Sequence, residues 1–174
     1  YYNIGDTSLI QSRGTKSINV QPGGTLNDYV PFYFGVHSPM LLRIHTGQVT
    51  GVTCNQNEII YIVCSDASIQ SMNIPFIFTD GHAYNILSKF YDNISGLINL
   101  DWNTISDKIW RNYPTDNDRI RRKQAEFLAF QKVPKDCILE IAVYNDNMKT
   151  IVNNILKANN CTNIPCNIRS GWYY

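Results

Sequence analysis

The chain has 174 residues, 44% of them hydrophobic, enough to bury one substantial core and too few for two ordinary domains, so a single domain over 1–174 is the working expectation. Charged residues make up 17% and the formal net charge is +1, which excludes the global positive field of a strongly basic nucleic-acid binder and leaves only a local patch to serve that purpose. No apolar run approaches the about 20 residues of a membrane helix, and five cysteines (Cys54, Cys64, Cys137, Cys161, Cys166) without a C-x-x-C pair or zinc spacing read as reduced thiols of a cytoplasmic, metal-free, membrane-free protein.

On spacing alone a Cys161–Cys166 disulfide stays open. A chain that opens Tyr-Tyr-Asn rather than with Met reads as a fragment lacking something upstream. Residues 14–28 (GTKSINVQPGGTLND) are rich in Gly, Pro, Asn and Ser and read as a loop. The aromatic run 28–34 is interrupted by Pro31, which suits a short edge strand. Ser38-Pro39 has the pattern of a cap followed by proline at the first helical position, predicting a short helix over 40–45 that Gly47 ends.

Residues 59–64 and 74–78 are short apolar runs with the composition of buried strands. A helix is expected after Asp80-Gly81, burying Ile86, Leu87 and Phe90, and a second over 102–110 with apolar residues at 102, 105, 109 and 110. Residues 113–118 read as an exposed loop, and 122–130 and 138–144 as strands. The clearest helix is 146–158, where Met148, Ile151, Val152, Ile155 and Leu156 share one face. Strands and helices mix without strict alternation, which favours α+β over a doubly wound parallel sheet.

The segment Arg121-Arg-Lys-Gln-Ala-Glu-Phe-Leu-Ala-Phe130 holds the chemistry. If all of it is strand, Gln124 and Glu126 point to one face and Ala125, Phe127 and Ala129 to the other. That holds a carboxylate on a rigid element beside an amide. The bland alternative is a solvent-facing glutamate next to a solvated charge run.

Q-x-E at the start of a strand after a variable loop is similar to the catalytic glutamate motif of ADP-ribosyltransferases. More specifically, RRKQAEFL, PGGTLNDYVPFYF (22–34), SPML (38–41), PFIFTDGHA (75–83) and the terminal WYY (172–174) resemble, in order and over nearly the whole chain, the DarT family of DNA ADP-ribosyltransferase toxins. The resemblance implies an ADP-ribosyltransferase fold of two small splayed β-sheets around an NAD cleft with flanking helices. It also implies NAD as donor, a base in single-stranded DNA as acceptor (thymine in most relatives, guanine in others), and a macrodomain antitoxin as partner; the chain itself is expected to be a monomer.

Carried over residue by residue, the resemblance makes Glu126 the catalytic glutamate, facing the positive charge that develops on the ribose as the nicotinamide bond breaks. Arg13 matches the family's catalytic arginine, and His82 the histidine after T-D-G, which orients a substrate group or relays a proton at a helix start. An arginine, with a pKa above about 12, suits stabilisation of a base anion or of NAD phosphates better than proton abstraction. Gln124, Tyr33 and Arg13 are the expected NAD contacts. For DNA, Arg119, Arg121, Arg122 and Lys123 cluster beside the catalytic strand with Tyr113 in the preceding loop, supplying cations and an aromatic for single-strand binding.

His37-Ser38-Pro39-Met40 stands where relatives often have Arg-Ser-Pro-Met, so at His37 a permanently charged DNA contact is lost or becomes titratable, with Met40 beside it. Upstream of the Tyr-x-Asn-Ile region at residues 2–4, the family carries a strand with an NAD-binding histidine and a following helix that have no counterpart here. The alternatives are transfer to guanine or another target, NAD glycohydrolysis, and a catalytically inactive single-strand DNA-binding module. The signatures of Rossmann dehydrogenases, P-loop NTPases, zincins and G-x-S-x-G hydrolases are absent from the sequence.

Overall fold

A computed structural model describes residues 7–49 and 51–174; the Tyr-x-Asn-Ile region at 2–4 lies outside them. In chain order the elements are α1 (Thr7–Thr15), β1 (Tyr29–Tyr33), α2 (Pro39–His45), β2 (Tyr61–Cys64), α3 (Asp66–Ser71), β3 (Phe76–Thr79), β4 (Phe90–Tyr91), α4 (Trp102–Ser106), α5 (Arg119–Lys123), β5 (Glu126–Phe130), β6 (Ile138–Val143), α6 (Asp146–Ala158) and β7 (Cys166–Ile168). The class is α+β, with two small sheets in two compact units, each drawn from separated stretches of chain.

One unit comprises residues 7–39 and 74–133. Its sheet runs in the order β1-β5-β3-β4 with every neighbouring pair antiparallel. β1 is an edge strand, as the proline inside it requires, because Pro31 has no N–H to give to a second neighbour. β5 is central and buried from Glu126 through Ala129. Ile18, Leu26, Tyr29, Ile77, Ala83 and Leu128 form its apolar core, with Val20, Phe90 and Phe130 packed against it.

The other unit comprises 40–73 and 134–174, around the sheet β2-β6-β7. β2 and β6 are antiparallel; β6 and β7 are parallel, with α6 as the crossover that a parallel pair needs. α6 has the bounds its periodicity predicts, but its buried face is narrower. Val152 and Leu156 are buried with Ile141, Val143, Ile164 and Cys166, while Ile151 and Ile155 remain 42% and 57% exposed. Gly47 follows α2 at φ 69°, a conformation that a side chain disfavours.

Several elements differ from expectation for local reasons. The strand expected over 122–130 begins only at Glu126, and Arg122 and Lys123 belong instead to the helix α5. A strand would set side chains two apart on one face, whereas the helix fans the three arginines out to carboxylates on several sides and turns Lys123 to backbone carbonyls. The loop expected over 14–28 begins later, because α1 runs to Thr15 and carries Arg13 in its last turn.

The expected helix after Asp80-Gly81 is a series of turns that leaves Ile86 and Leu87 89% and 68% exposed and delivers Phe90 to β4. There the side chains of Asn85 and Asp80 take the amides of Leu87 and Lys89, competing with helical bonds. The helix at 102 stops at Ser106 because Asp107 accepts the Ile109 amide, so Ile109 and Trp110 lie beyond it. α3 was not expected from periodicity; it is six residues long and capped reciprocally by Ser65 and Ser68. All five cysteines are free thiols, and no helix among the described residues is long and apolar enough to cross a membrane.

Candidate active site

The antiparallel order of the sheet brings three strand ends to one place. Glu126 opens the central β5, Tyr33 closes β1 directly opposite it in register, and Thr79 closes β3 on the other side. Tyr33 and Glu126, being cross-strand partners, project from the same face. α1 and the turn after β3 complete the surroundings.

Glu126 is 4% exposed, and a carboxylate is tolerated there only because its oxygens are engaged. Oε2 accepts from Arg13 Nη1 at 2.9 Å and Oε1 from the backbone amide of Ala83 at 2.9 Å. The Glu126 amide donates to the Thr79 hydroxyl at 3.2 Å, and that hydroxyl donates to the Gly81 carbonyl at 2.6 Å. Thr79 thus ties the start of the glutamate strand to the turn whose amide holds the glutamate side chain. Arg13 uses one terminal nitrogen on Glu126; Nη2 is buried and has no hydrogen-bond partner among the described residues.

Two further groups feel this ion pair. The Tyr33 ring is 43% exposed, yet its phenol is pushed up to about 12, first by burial around the hydroxyl, then by the Glu126 charge, with Arg13 opposing. The His82 imidazole is held below its ordinary value, chiefly by burial and further by Arg13, against the pull of Glu126. The Tyr84 amide donates to His82 Nδ1 at 3.2 Å, so the neutral ring carries its proton on Nε2 and offers a donor. His82 sits in the turn, not at a helix start.

Gly81 allows this turn to close. A Cβ there would lie 2.8 Å from the Arg121 carbonyl oxygen, a backbone atom that cannot swing away. The same carbonyl accepts the His82 amide at 3.0 Å. Arg121 adds its side chain, donating to Asp80 Oδ1 at 2.8 Å and to the Ser88 hydroxyl at 3.1 Å, and gripping Asp118 through Nε and Nη2 at 2.7 and 2.8 Å. Thr79, Asp80, Ala83 and Arg121 were not singled out as supports of the glutamate. The only trace of them in the sequence is a threonine followed two residues on by a glycine, which marks a turn and not a catalytic role.

The expected DNA cations are occupied within the chain. Arg119 is 4% exposed, paired with Asp107 at 2.5 Å and bonded to the carbonyls of Ile109 and Arg111. Arg122 bridges Asp101, Asp116 and Asp118. The Lys123 ammonium is buried, donates to the carbonyls of Ile105 and Asp107, lies 4.8 Å above the Trp110 ring, and is pushed down to about 8 by that burial. Tyr113 is half-buried with guanidiniums of Arg111 and Arg119 at 5.3 and 5.4 Å from its ring centre.

Gln124 caps α5 rather than standing on the strand, and its amide turns back to the Ile120 carbonyl at 3.1 Å, so the expected shared face with Glu126 does not exist. His37 is buried ahead of α2, and Met40 lies half-buried in the first turn of that helix. The site that the fold assembles therefore consists of Glu126, Arg13, Tyr33, His82 and the Ala83 amide.

A family model described as "ssDNA thymidine ADP-ribosyltransferase, DarT" matches residues 1–174. Among curated relatives, a DNA ADP-ribosyl transferase of Escherichia coli O127:H6 is 36% identical over 175 residues, covering 100% of this chain and 79% of its own length. One from Thermus sp. (strain 2.9) is 37% identical, with 99% and 81% covered. Among solved structures, Thermus sp. 2.9 DarT in complex with ADP-ribosylated ssDNA superposes with a TM-score of 0.93 at 33% identity, covering 99% of this chain and 81% of that one. The same Thermus protein in complex with NAD+ gives 0.86 at 34% identity, with 94% and 81% covered.

Proposed function

The chain belongs to the DarT family of single-stranded-DNA thymidine ADP-ribosyltransferases, and from that premise we propose that Glu126, Arg13, Tyr33 and His82 form the centre at which ADP-ribose passes from NAD to a thymine of single-stranded DNA. The observation that carries the residue assignment is the buried Glu126–Arg13 pair with one guanidinium nitrogen left open. Buried donors nearly always find an acceptor, and an unsatisfied one costs about 1–3 kcal/mol, so an acceptor from outside the chain is the natural occupant. A ribose, a phosphate or a base carbonyl each supplies one.

In this reading, as the bond from nicotinamide to ribose breaks and the electron pair leaves with nicotinamide, the ribose carbon becomes positive. Glu126, fixed on both oxygens and shielded from water, presents a preorganised negative charge to that carbon. The thymine nitrogen bonds to the same carbon and gives up its proton to solvent. Arg13 Nη2 faces the base oxygen, where negative charge accumulates as the proton leaves. His82, with its proton on Nε2, orients a substrate oxygen as a donor rather than relaying a proton. Tyr33 stays neutral and donates its hydroxyl.

Family membership also supports a toxin role with a macrodomain antitoxin as partner. Duplex DNA is expected to be a poor acceptor, because the attacking nitrogen is engaged in pairing and freeing it costs a few kcal/mol.

The test is incubation with labelled NAD and oligonucleotides in which each thymine is replaced singly by uracil or cytosine, with the modified nucleoside identified by mass spectrometry. Label confined to thymine is expected. Glu126→Gln keeps volume but removes the charge, and is expected to lower transfer by about 100- to 1,000-fold, the scale of losing one preorganised transition-state contact. Label that follows guanine overturns the base, and near-normal transfer by Glu126→Gln overturns the residue assignment.

A further inference from the structure

A cavity of about 490 Å³ is lined by Lys16, Ser17 and Asn19 from the segment after α1 and by Ile86, Lys89 and Tyr91 from the segment that ends in β4. Both lining segments are tied by hydrogen bonds to residues that carry active-site groups. The Lys16 amide donates to the Arg13 carbonyl at 3.2 Å, one turn from the guanidinium that grips Glu126. Across the cavity, Lys89 and Ser88 end the turn that supplies the Ala83 amide, and the Ser88 hydroxyl donates to the His82 carbonyl at 2.8 Å.

Charge marks this cavity out. Its lining contains two lysines and no carboxylate. Asp80, whose Oδ1 takes the Lys89 amide, is already matched by Arg121. Lys16 and Lys89 have no ion pair among the described residues, whereas Arg119, Arg121 and Arg122 are each paired with one or more aspartates. The arginines of the segment expected to track a nucleic-acid backbone are therefore matched from within, and Lys16 and Lys89 line this cavity. Its volume falls within the roughly 300–1,000 Å³ of small-molecule sites.

We propose that this cavity is a nucleotide subsite in which Lys16 and Lys89 hold a phosphate, Ser17 and Asn19 supply neutral hydrogen bonds, and Ile86 with the edge of Tyr91 contacts the attached sugar or base. The inference rests on the transferase reading above. The phosphate belongs either to a nucleotide of the DNA strand flanking the modified base or to the pyrophosphate of NAD; the chemistry that recognises it is the same.

The experiment compares the full protein with Lys16→Gln/Lys89→Gln and with Lys16→Glu/Lys89→Glu. NAD affinity is measured by calorimetry, and single-stranded oligonucleotide affinity over a range of salt. Both lysines lie outside the apolar core, so unchanged melting is expected. If the phosphate is DNA's, the log–log salt slope of the glutamine pair shrinks by about 1.4, at about 0.7 per contact, with NAD affinity unchanged. If it is NAD's, NAD affinity falls at least tenfold and the slope stays. Charge reversal deepens whichever loss occurs. Unchanged NAD affinity and unchanged salt slope in both double variants overturn the subsite. The underlying reading is judged separately by wild-type transfer of label to DNA, which those variants do not affect.

Discussion

Glu126 is held by three elements at once, and the residue that coordinates them is Thr79. Its hydroxyl accepts the Glu126 amide and donates to Gly81, so one fully buried oxygen sets both the strand start and the turn that supplies the Ala83 amide. Thr79→Val keeps shape and removes that oxygen. Turnover is expected to fall about tenfold with NAD affinity nearly unchanged, since a displacement of the carboxylate of less than an ångström affects the transition state before it affects binding. Thr79→Ser is expected to restore turnover, and a Val variant that loses only melting temperature would reduce Thr79 to a core hydroxyl.

His82 gives a second residue-scale expectation. Its folded pKa lies below the ordinary histidine value of about 6.5, so the ring stays neutral at neutral pH. As pH falls through that lowered value, protonation removes the Nδ1 acceptor and places a cation beside Arg13. Transfer is expected to be flat from pH 8 to about 6.5 and to decline below it. His82→Gln should abolish the decline; an identical profile in that variant would assign it to another group.

At the scale of elements, α5 is a distributor of charge. Its four cations reach Asp80, Asp101, Asp107, Asp116 and Asp118, and Arg121 joins α5 both to the turn after β3 and to the Asp118 cap residue. Arg121→Met should destabilise the protein by about 3 kcal/mol, the scale of stripping a part-buried pair of one partner. Because the guanidinium is already matched, the salt slope of DNA binding should not change. Equilibrium denaturation and oligonucleotide titration check the two halves, and a slope reduced by about 0.7 with unchanged stability would return Arg121 to the DNA.

At the scale of the molecule, neither compact unit is contiguous in sequence. β1 waits for β5 and β2 for β6, so closing the sheets joins Tyr33 to Glu126, 93 positions on, and Tyr61 to Ala142, 81 positions on. A cut between Asn73 and Ile74 leaves each fragment with half of both units. Fragments 1–73 and 74–174 are each expected to lack cooperative thermal unfolding by circular dichroism, because an unpaired strand with half a core does not repay its conformational entropy. Cooperative unfolding of either fragment would show that strand pairing between the two halves of the chain is not needed for a core to form.

The sequence by itself determined the family, the α+β class, the edge position of β1, the limits of α6 and the identity of Glu126, Arg13 and His82 as candidates. Each of these is local, carried by a motif, a proline's missing donor or an amphipathic period. It did not determine what the charges near them face. The string Arg119 to Lys123 looks like a basic patch in one dimension, and only folding shows five aspartates, from 3 to 41 positions away from the arginines they pair with, turned toward it. Gln124 was placed beside Glu126 on the assumption of a period-two strand, and a helix cap sent it elsewhere. The Ala83 amide and the Thr79 hydroxyl carry no side-chain signature of catalysis; they matter because antiparallel pairing brings the ends of β1, β3 and β5 together, a juxtaposition set by long-range register rather than by any neighbouring residues.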